Sequence, residues 1–216
     1  MRIIGLTGGM GMGKSTAAAA FRRARIPVFD ADAAVHRLQA KGGRAIRAIE
    51  AAFPGTIRHG AVDRPALRQA VLGKPEALTR LEHILHPMVE AEERAFIARA
   101  RRAGKPAVVL DIPLLFETGA DRRVDVVVVV SAPLPIQIYR VGLRRRMNRQ
   151  DIEAVIIRQM PDREKRRRAD VVVRTGLSRN HTLRALNRFI RGIVYASSGI
   201  SVGHAQKRCI RSKPVA

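Results

Sequence analysis

Gly8, Gly9, Gly11 and Gly13, followed at once by Lys14, Ser15 and Thr16, gather flexible backbone, one cation and two hydroxyls into a single short run. The run Gly8-Gly9-Met10-Gly11-Met12-Gly13-Lys14-Ser15 meets G-x-x-x-x-G-K-[ST] at every fixed position. Glycines let a backbone wrap closely around phosphate oxygens. The N–H groups then point inward, and the start of a following helix adds positive potential. Lys14 is expected to reach the β- and γ-phosphates of a nucleoside triphosphate. Ser15 is expected to ligate Mg²⁺ through its hydroxyl, and Thr16 to bond the α-phosphate. Gly8, Gly9, Gly11, Met12, Gly13, Lys14, Ser15 and Thr16 are therefore the candidate ATP-binding set. The motif does not name a phosphoryl acceptor.

Carboxylates are the next residues able to do chemistry. Asp30-Ala31-Asp32 follows a short apolar stretch. A carboxylate that accepts or orients a hydroxyl proton helps a kinase phosphorylate that hydroxyl, and Asp32 is the candidate for this catalytic role. Asp30 either supports the loop or the metal shell, or caps the next helix. Asp111 closes the apolar run Val108-Val109-Leu110, a place suited to holding a metal-bound water. Arg140 and Arg145 are candidate catalytic cations, since a guanidinium forks onto two phosphate oxygens. The other arginines between Arg140 and Arg179, Arg166–Arg168 among them, read mostly as a solvated basic face.

These residues need elements to hold them. Arg2–Leu6, Ile26–Phe29, Ala107–Leu110, Val124–Val130 and Val171–Val173 read as strands. Ala107–Leu110 and Val124–Val130 are near-continuous apolar runs, as expected of parallel strands covered on both faces. Helices are expected over Lys14–Arg25, Asp30–Ala40, Arg44–Phe53, Arg64–Leu72, Glu76–Arg102 with an interruption near Pro87, Pro133–Arg146, a short stretch opened by Pro161, and Leu183–Val194. Asn148 reads as a helix cap, and Thr56–Val62 as a polar loop. Strand–helix alternation of this kind predicts an α/β fold with a parallel sheet, and ligands then sit beyond the C-terminal strand ends.

Composition narrows the class. The 216 residues carry 41 Lys+Arg against 18 Asp+Glu, a net charge of +23, which attracts polyanions without choosing among them. Aromatic residues are only 4% and Trp is absent, so platforms for stacking single strands are scarce. No apolar run is long enough for a membrane helix, and no signal peptide is apparent. One cysteine, Cys209, excludes an internal disulfide and suits a reducing, cytoplasmic setting. The six histidines show no metal-ligand spacing.

With these residues in view, the chain resembles the dephospho-CoA kinase family over roughly residues 2 to 190. The resemblance is carried by Ile4-Gly5-Leu6-Thr7-Gly8-Gly9 leading into Lys14-Ser15, by Asp30-Ala31-Asp32, by Leu81-Glu82 with Leu85-His86-Pro87 and Val89, by Asp111-Ile112-Pro113-Leu114-Leu115-Phe116-Glu117, and by Ala169-Asp170-Val171-Val172. It implies a three-layer P-loop kinase fold over residues 1–196, with a helical substrate region at about 56–103 and a helical lid at about 140–169. Residues 197–216 read as a basic, poorly ordered tail. The implied reaction is transfer of the ATP γ-phosphoryl, with Mg²⁺, to the ribose 3′-hydroxyl of dephospho-CoA. Asp32, His86, Pro87, Pro113, Leu114, Leu115 and Glu117 are the implied substrate residues. Gln137, Arg140, Arg145, Arg149 and Gln159 align with the lid. Met12 replaces a usual Ser, Arg146 a common acid, and Arg174-Thr175-Gly176 a usual D/N-N-x-G near adenine. No obligatory nucleic acid and no membrane partner is implied. Two alternatives stay open: a kinase acting on another nucleoside or nucleotide, and a nucleic-acid-binding P-loop ATPase.

Overall fold

Two strands are buried along their whole length: β5, Ala107–Asp111, and β6, Val126–Ser131. Both are apolar without alternation, because a parallel strand at the centre of a layered fold has no wet face. The computed structural model describes residues 1–145, 152–153, 156–157 and 159–197. Its five-stranded sheet also contains β1, Arg2–Thr7, β2, Val28–Asp30, and β7, Val171–Arg174, in the order β2-β5-β1-β6-β7. Leu6 pairs with Asp111 and Thr7 with Val129 in the parallel ladders of β1. β7 is aligned on β6 by Asp170, whose Oδ2 accepts the Val127 N–H at 2.8 Å while its own N–H reaches Val127 O at 3.1 Å.

The chain divides into two compact units. The first comprises Met1–Phe29 and Ala100–Ala216 and holds the sheet. Here α1, Lys14–Arg23, and α8, Arg179–Ser197, pack on alternate residues of the strands. Ile4, Leu6, Val109, Val126, Val128 and Val130 meet Ala17, Ala18, Ala20 and Phe21 of α1 and Leu186, Ile190 and Ile193 of α8. The alanines let α1 lie close to the sheet, and Phe21 meets Phe189 edge to face, with centroids 6.3 Å apart. The intervening strand residues Val108, Leu110, Val127 and Val129 are also buried, so both faces are covered. α6, Leu134–Arg145, and α7, Asp162–Arg168, also belong to this unit.

The second unit, Asp30–Arg99, contains α2, Ala31–Gln39, α3, Ile46–Ala52, α4, Arg64–Val71, and most of α5, Pro75–Arg102. Its own core is Leu38, Ala45, Ile49, Phe53, Val62, Leu67 and Leu85. Asp30 caps α2 by accepting the Ala33 N–H at 2.9 Å, and Asp63 caps α4 by accepting that of Ala66 at 3.2 Å.

Three expectations are corrected. Thr56–Val62 is not a plain loop: β3, Ile57–Arg58, pairs antiparallel with β4, Ala61–Val62. His59 and Gly60 both have positive φ, 50° and 77°, as a two-residue hairpin turn requires. α5 runs 28 residues through Pro87 without a break. Its apolar stripe of Leu81, Ile84, Leu85, Met88 and Val89 is continuous on both sides of the proline, and that burial outweighs the roughly 3 kcal/mol cost of an interior proline. α8 starts at Arg179 and extends to Ser197, beyond the expected Leu183–Val194.

Candidate active site

β1 delivers the chain into Gly8 at a point where no side chain fits. A Cβ on Gly8 would stand 2.4 Å from Val130 Cγ2 and 2.6 Å from Val130 O, the backbone of neighbouring β6. Gly13, with φ of 89°, then turns the loop into α1. The loop thus ends at the N-terminus of a ten-residue helix, where backbone donors and dipole favour an anion. Lys14 Nζ lies 2.5 Å from Asp111 Oδ1, and Asp111 is only 5% exposed. The β1–β5 register explains the meeting, since Asp111 is level with Leu6 at the strand end from which the loop departs.

The tip of the loop is held through both backbone groups of one residue, Met10. Met10 O accepts from Gln137 Nε2 at 2.7 Å, and Met10 N–H donates to Gln159 Oε1 at 3.2 Å. Gln137 is buried on α6; Gln159 lies just before α7. The far side of the loop is fixed by Thr175, beyond β7. Its hydroxyl donates to Met12 O at 2.7 Å, its N–H donates to Ser131 O at 2.8 Å, and it receives Arg140 Nη1 at 3.1 Å. Arg140 Nη2 also reaches Thr175 O at 2.7 Å.

The segment after β5 is tied in two places. Thr7 Oγ1 donates to Pro113 O at 2.9 Å. Lys165 Nζ, on a residue only 1% exposed, pairs with Glu117 Oε1 at 2.9 Å and reaches Pro113 O at 3.4 Å. Glu117 Oε1 also accepts the Met160 N–H at 3.1 Å. Burial pushes the Glu117 carboxyl up, but the Lys165 hydrogen bond and charge, with backbone N–H donors of Glu117 and Met160, hold it below the ordinary carboxylate range.

The expected residues divide between the two units. Gly8, Gly9, Gly11, Met12, Gly13, Lys14, Ser15, Thr16, Asp111, Pro113, Leu114, Leu115, Glu117 and Arg140 belong to the first, and the bonds above join many of them into one cluster. Met12 directs its N–H to Gly9 O and its carbonyl to Thr175. Leu114 is 43% exposed, whereas Leu115 is fully buried, close to Gly5. Asp32, His86 and Pro87 belong to the second unit and are exposed there. Asp32 stands in the first turn of α2; His86 and Pro87 line a hollow of about 270 Å³ with Glu82, His83 and Glu90. The Arg145 side chain, Arg149, the cap expected at Asn148 and residues 198–216 of the tail lie outside the described residues.

Two residues of the cluster were missed. Lys165 was hidden in the cationic run Lys165–Arg168, where only helical period separates the inward residue from its neighbours. Thr175 was noticed as a departure and not as an anchor. Among the described residues, no helix is long and apolar enough to cross a membrane, and no group of three or more His, Cys, Asp or Glu could hold a metal.

A family model for dephospho-CoA kinase matches residues 2–179. A dephospho-CoA kinase of Gluconobacter oxydans is 51% identical over 201 residues, 91% of this chain and 100% of that one. One from Paramagnetospirillum magneticum is 59% identical over 166 residues, 77% and 78% of the two chains. Among solved structures, a protein from Thermus thermophilus superposes with a TM-score of 0.76 at 36% identity, covering 90% of this chain and 97% of that one. The dephospho-CoA kinase of Campylobacter jejuni shares the fold, with a TM-score of 0.68 at 22% identity over 91% and 98% of the chains.

A glycine loop between β1 and α1, its lysine beside the aspartate that ends β5, and a parallel sheet in this order define a P-loop kinase. The family model spans most of the chain, and the alignment covers all of the Gluconobacter relative and 78% of the Paramagnetospirillum one. The chain belongs to the dephospho-CoA kinase family, and is a transferase that phosphorylates dephospho-CoA in CoA biosynthesis.

Proposed function

We propose that the chain transfers the γ-phosphoryl of ATP to the ribose 3′-hydroxyl of dephospho-CoA, giving CoA and ADP. The observation that carries the donor half is the Lys14–Asp111 contact at the mouth of the phosphate loop. It holds the ammonium at a strand end, beside the N-terminus of α1, where phosphate charge is best stabilised. Family membership supports the acceptor half.

Gly8–Thr16 hold the triphosphate, and Lys14 neutralises its β and γ oxygens. Ser15 is exposed at the start of α1, and Asp111 presents a carboxylate at the end of β5. Both are oxygen donors of the kind Mg²⁺ takes. Ser15 would hold the ion directly and Asp111 through water, and the ion would supply further charge neutralisation. Asp32 orients the acceptor hydroxyl and takes its proton. Its support is its place directly after β2, exposed in the first turn of a helix already capped by Asp30. Leu114 is the exposed apolar residue offered to the pantetheine arm; Leu115, being core, is not. His86 and Pro87, both exposed, are further residues we assign to the acceptor. Arg145 supplies charge to the transferring phosphoryl. Transfer of this kind depends on position and charge more than on base strength. The cytoplasm is the compartment we assign, since one cysteine in 216 residues leaves no internal disulfide to form.

The test is transfer from ATP·Mg²⁺ to purified dephospho-CoA, with AMP and adenosine as parallel acceptors. CoA formation with little product from the other two is the expected result. ATP consumed with AMP or adenosine alone keeps the phosphate loop and replaces the acceptor. Hydrolysis that rises only with added nucleic acid favours the ATPase alternative.

A further inference from the structure

The geometry points to Lys165, acting through Glu117, as a positioning residue that holds Gln159 against the tip of the phosphate loop. The inference rests on reading Gly8–Thr16 as the ATP site.

Glu117 Oε1 gathers two donors of different kinds, the Lys165 ammonium at 2.9 Å and the Met160 backbone N–H at 3.1 Å. Met160 is the residue after Gln159, so fixing its N–H fixes where the Gln159 side chain begins. From there Gln159 Oε1 receives the Met10 N–H at 3.2 Å, opposite Gln137 on the Met10 carbonyl. A continuous path of hydrogen bonds therefore runs from the Pro113–Glu117 segment to the loop. Its other end is anchored as well, since Pro113 O takes both Thr7 Oγ1 and Lys165 Nζ.

Lys165 is 1% exposed, and a solvated basic face does not explain its burial. Its neighbours behave differently: Arg166 and Arg167 pair with Asp162 and Glu164 of the same helix and are 42% and 78% exposed. A buried ion pair is weak evidence for stability, because an apolar pair of similar size often serves as well. What an apolar pair cannot do is accept the Met160 N–H. The carboxylate, kept ionised by Lys165, is the feature that sets Gln159.

The experiment separates this role from a merely structural one. Four proteins are compared: the parent chain, Gln159→Ala, Glu117→Leu with Lys165→Met, and all three substitutions together. Thermal melting and the affinity for a fluorescent ATP analogue are measured in each. The paired apolar substitution is expected to keep Tm within a few degrees of the parent and to weaken the analogue about tenfold, the scale of one lost hydrogen bond. Gln159→Ala is expected to weaken it to a similar degree, and the triple variant no further than either, because both act through one contact. Additive losses in the triple variant, or parental affinity in the paired variant, would overturn the proposal. Should the paired variant fail to fold, Lys165→Met alone replaces it, since the Glu117 side chain is 24% exposed and can be solvated without its partner; it is expected to weaken the analogue as Gln159→Ala does, and parental affinity in it would overturn the proposal. A parent chain that binds no ATP analogue defeats the phosphate-loop reading and this inference together. One that binds it but does not phosphorylate dephospho-CoA defeats only the acceptor, because the readout is nucleotide affinity.

Discussion

Lys14 Nζ and Asp111 Oδ1 stand 2.5 Å apart although 97 residues separate them in the chain. Parallel pairing of β1 with β5 brings them together, so the Lys14 ammonium is set by sheet register and not by its own loop alone. Lys14→Ala is expected to lower kcat by about 100- to 1,000-fold, the usual loss when a donor to a charged transition state is removed. Asp111→Asn keeps a hydrogen-bond acceptor but loses the charge, so it is expected to cost less. Steady-state kinetics with circular dichroism checks this. Parental turnover in a folded Lys14→Ala protein would remove Lys14 from the site.

Thr175 joins three parts of the first unit through one hydroxyl and one peptide. Its hydroxyl donates to Met12 O, and both its hydroxyl and its carbonyl take Arg140. Thr175→Val keeps the shape and deletes the hydroxyl, leaving a loop carbonyl and a guanidinium short of a partner. The expected cost is about 1–3 kcal/mol, read as a Tm fall of about 2–12 °C for a chain of this size. Nucleotide affinity should fall with it, because Met12 lies in the phosphate loop. An unchanged Tm would show that water replaces the hydroxyl at no cost.

The parts legible in the sequence are those fixed by local chemistry. Gly8–Ser15 is legible because glycine, lysine and serine have few other reasons to stand at that spacing. β5 and β6 are legible because burial on both faces removes polar residues from them. The hairpin at Ile57–Val62 is not, since each strand is two residues long and His59-Gly60 is an uncommon pair for its turn. The unbroken α5 is not, because a proline's local cost is visible in the sequence while the stripe that offsets it gains from packing. Of the site, the loop and Asp111 could be placed by their strands. Lys165 could not, because its partner Glu117 lies 48 positions earlier, a pairing that depends on how α7 returns to the sheet.

Asp32 stands exposed in the first turn of α2, and Asp30, not Asp32, caps that helix. Asp32→Asn should therefore leave folding untouched and ATP affinity near parental. If Asp32 takes the acceptor proton, kcat should fall by about 100- to 10,000-fold. Titration with a fluorescent ATP analogue, together with single-turnover transfer to dephospho-CoA, separates the two effects. Lost ATP affinity in the variant would reassign Asp32 to the nucleotide.

Glu117 gives stability a dependence on pH whose direction can be worked out. Its carboxyl titrates below its ordinary value of 4.5 in the folded chain, where burial is overcome by Lys165 and by backbone donors. The unfolded chain therefore takes up the proton first as pH falls, and stability drops wherever the unfolded state binds more protons. The contribution is complete above about pH 5.5 and is lost progressively as pH falls from there through the folded-state value. Glu117→Gln resembles a permanently protonated Glu117 beside a buried Lys165. Its Tm should lie below the parent's by a constant amount between about pH 6 and 8, and the two curves should close together as pH falls through the lowered folded-state value of Glu117. Differential scanning fluorimetry across that range reads the effect directly. A gap that persists undiminished at low pH would mean that the variant loses packing, and that the Lys165–Glu117 charge pair contributes nothing to the folded state.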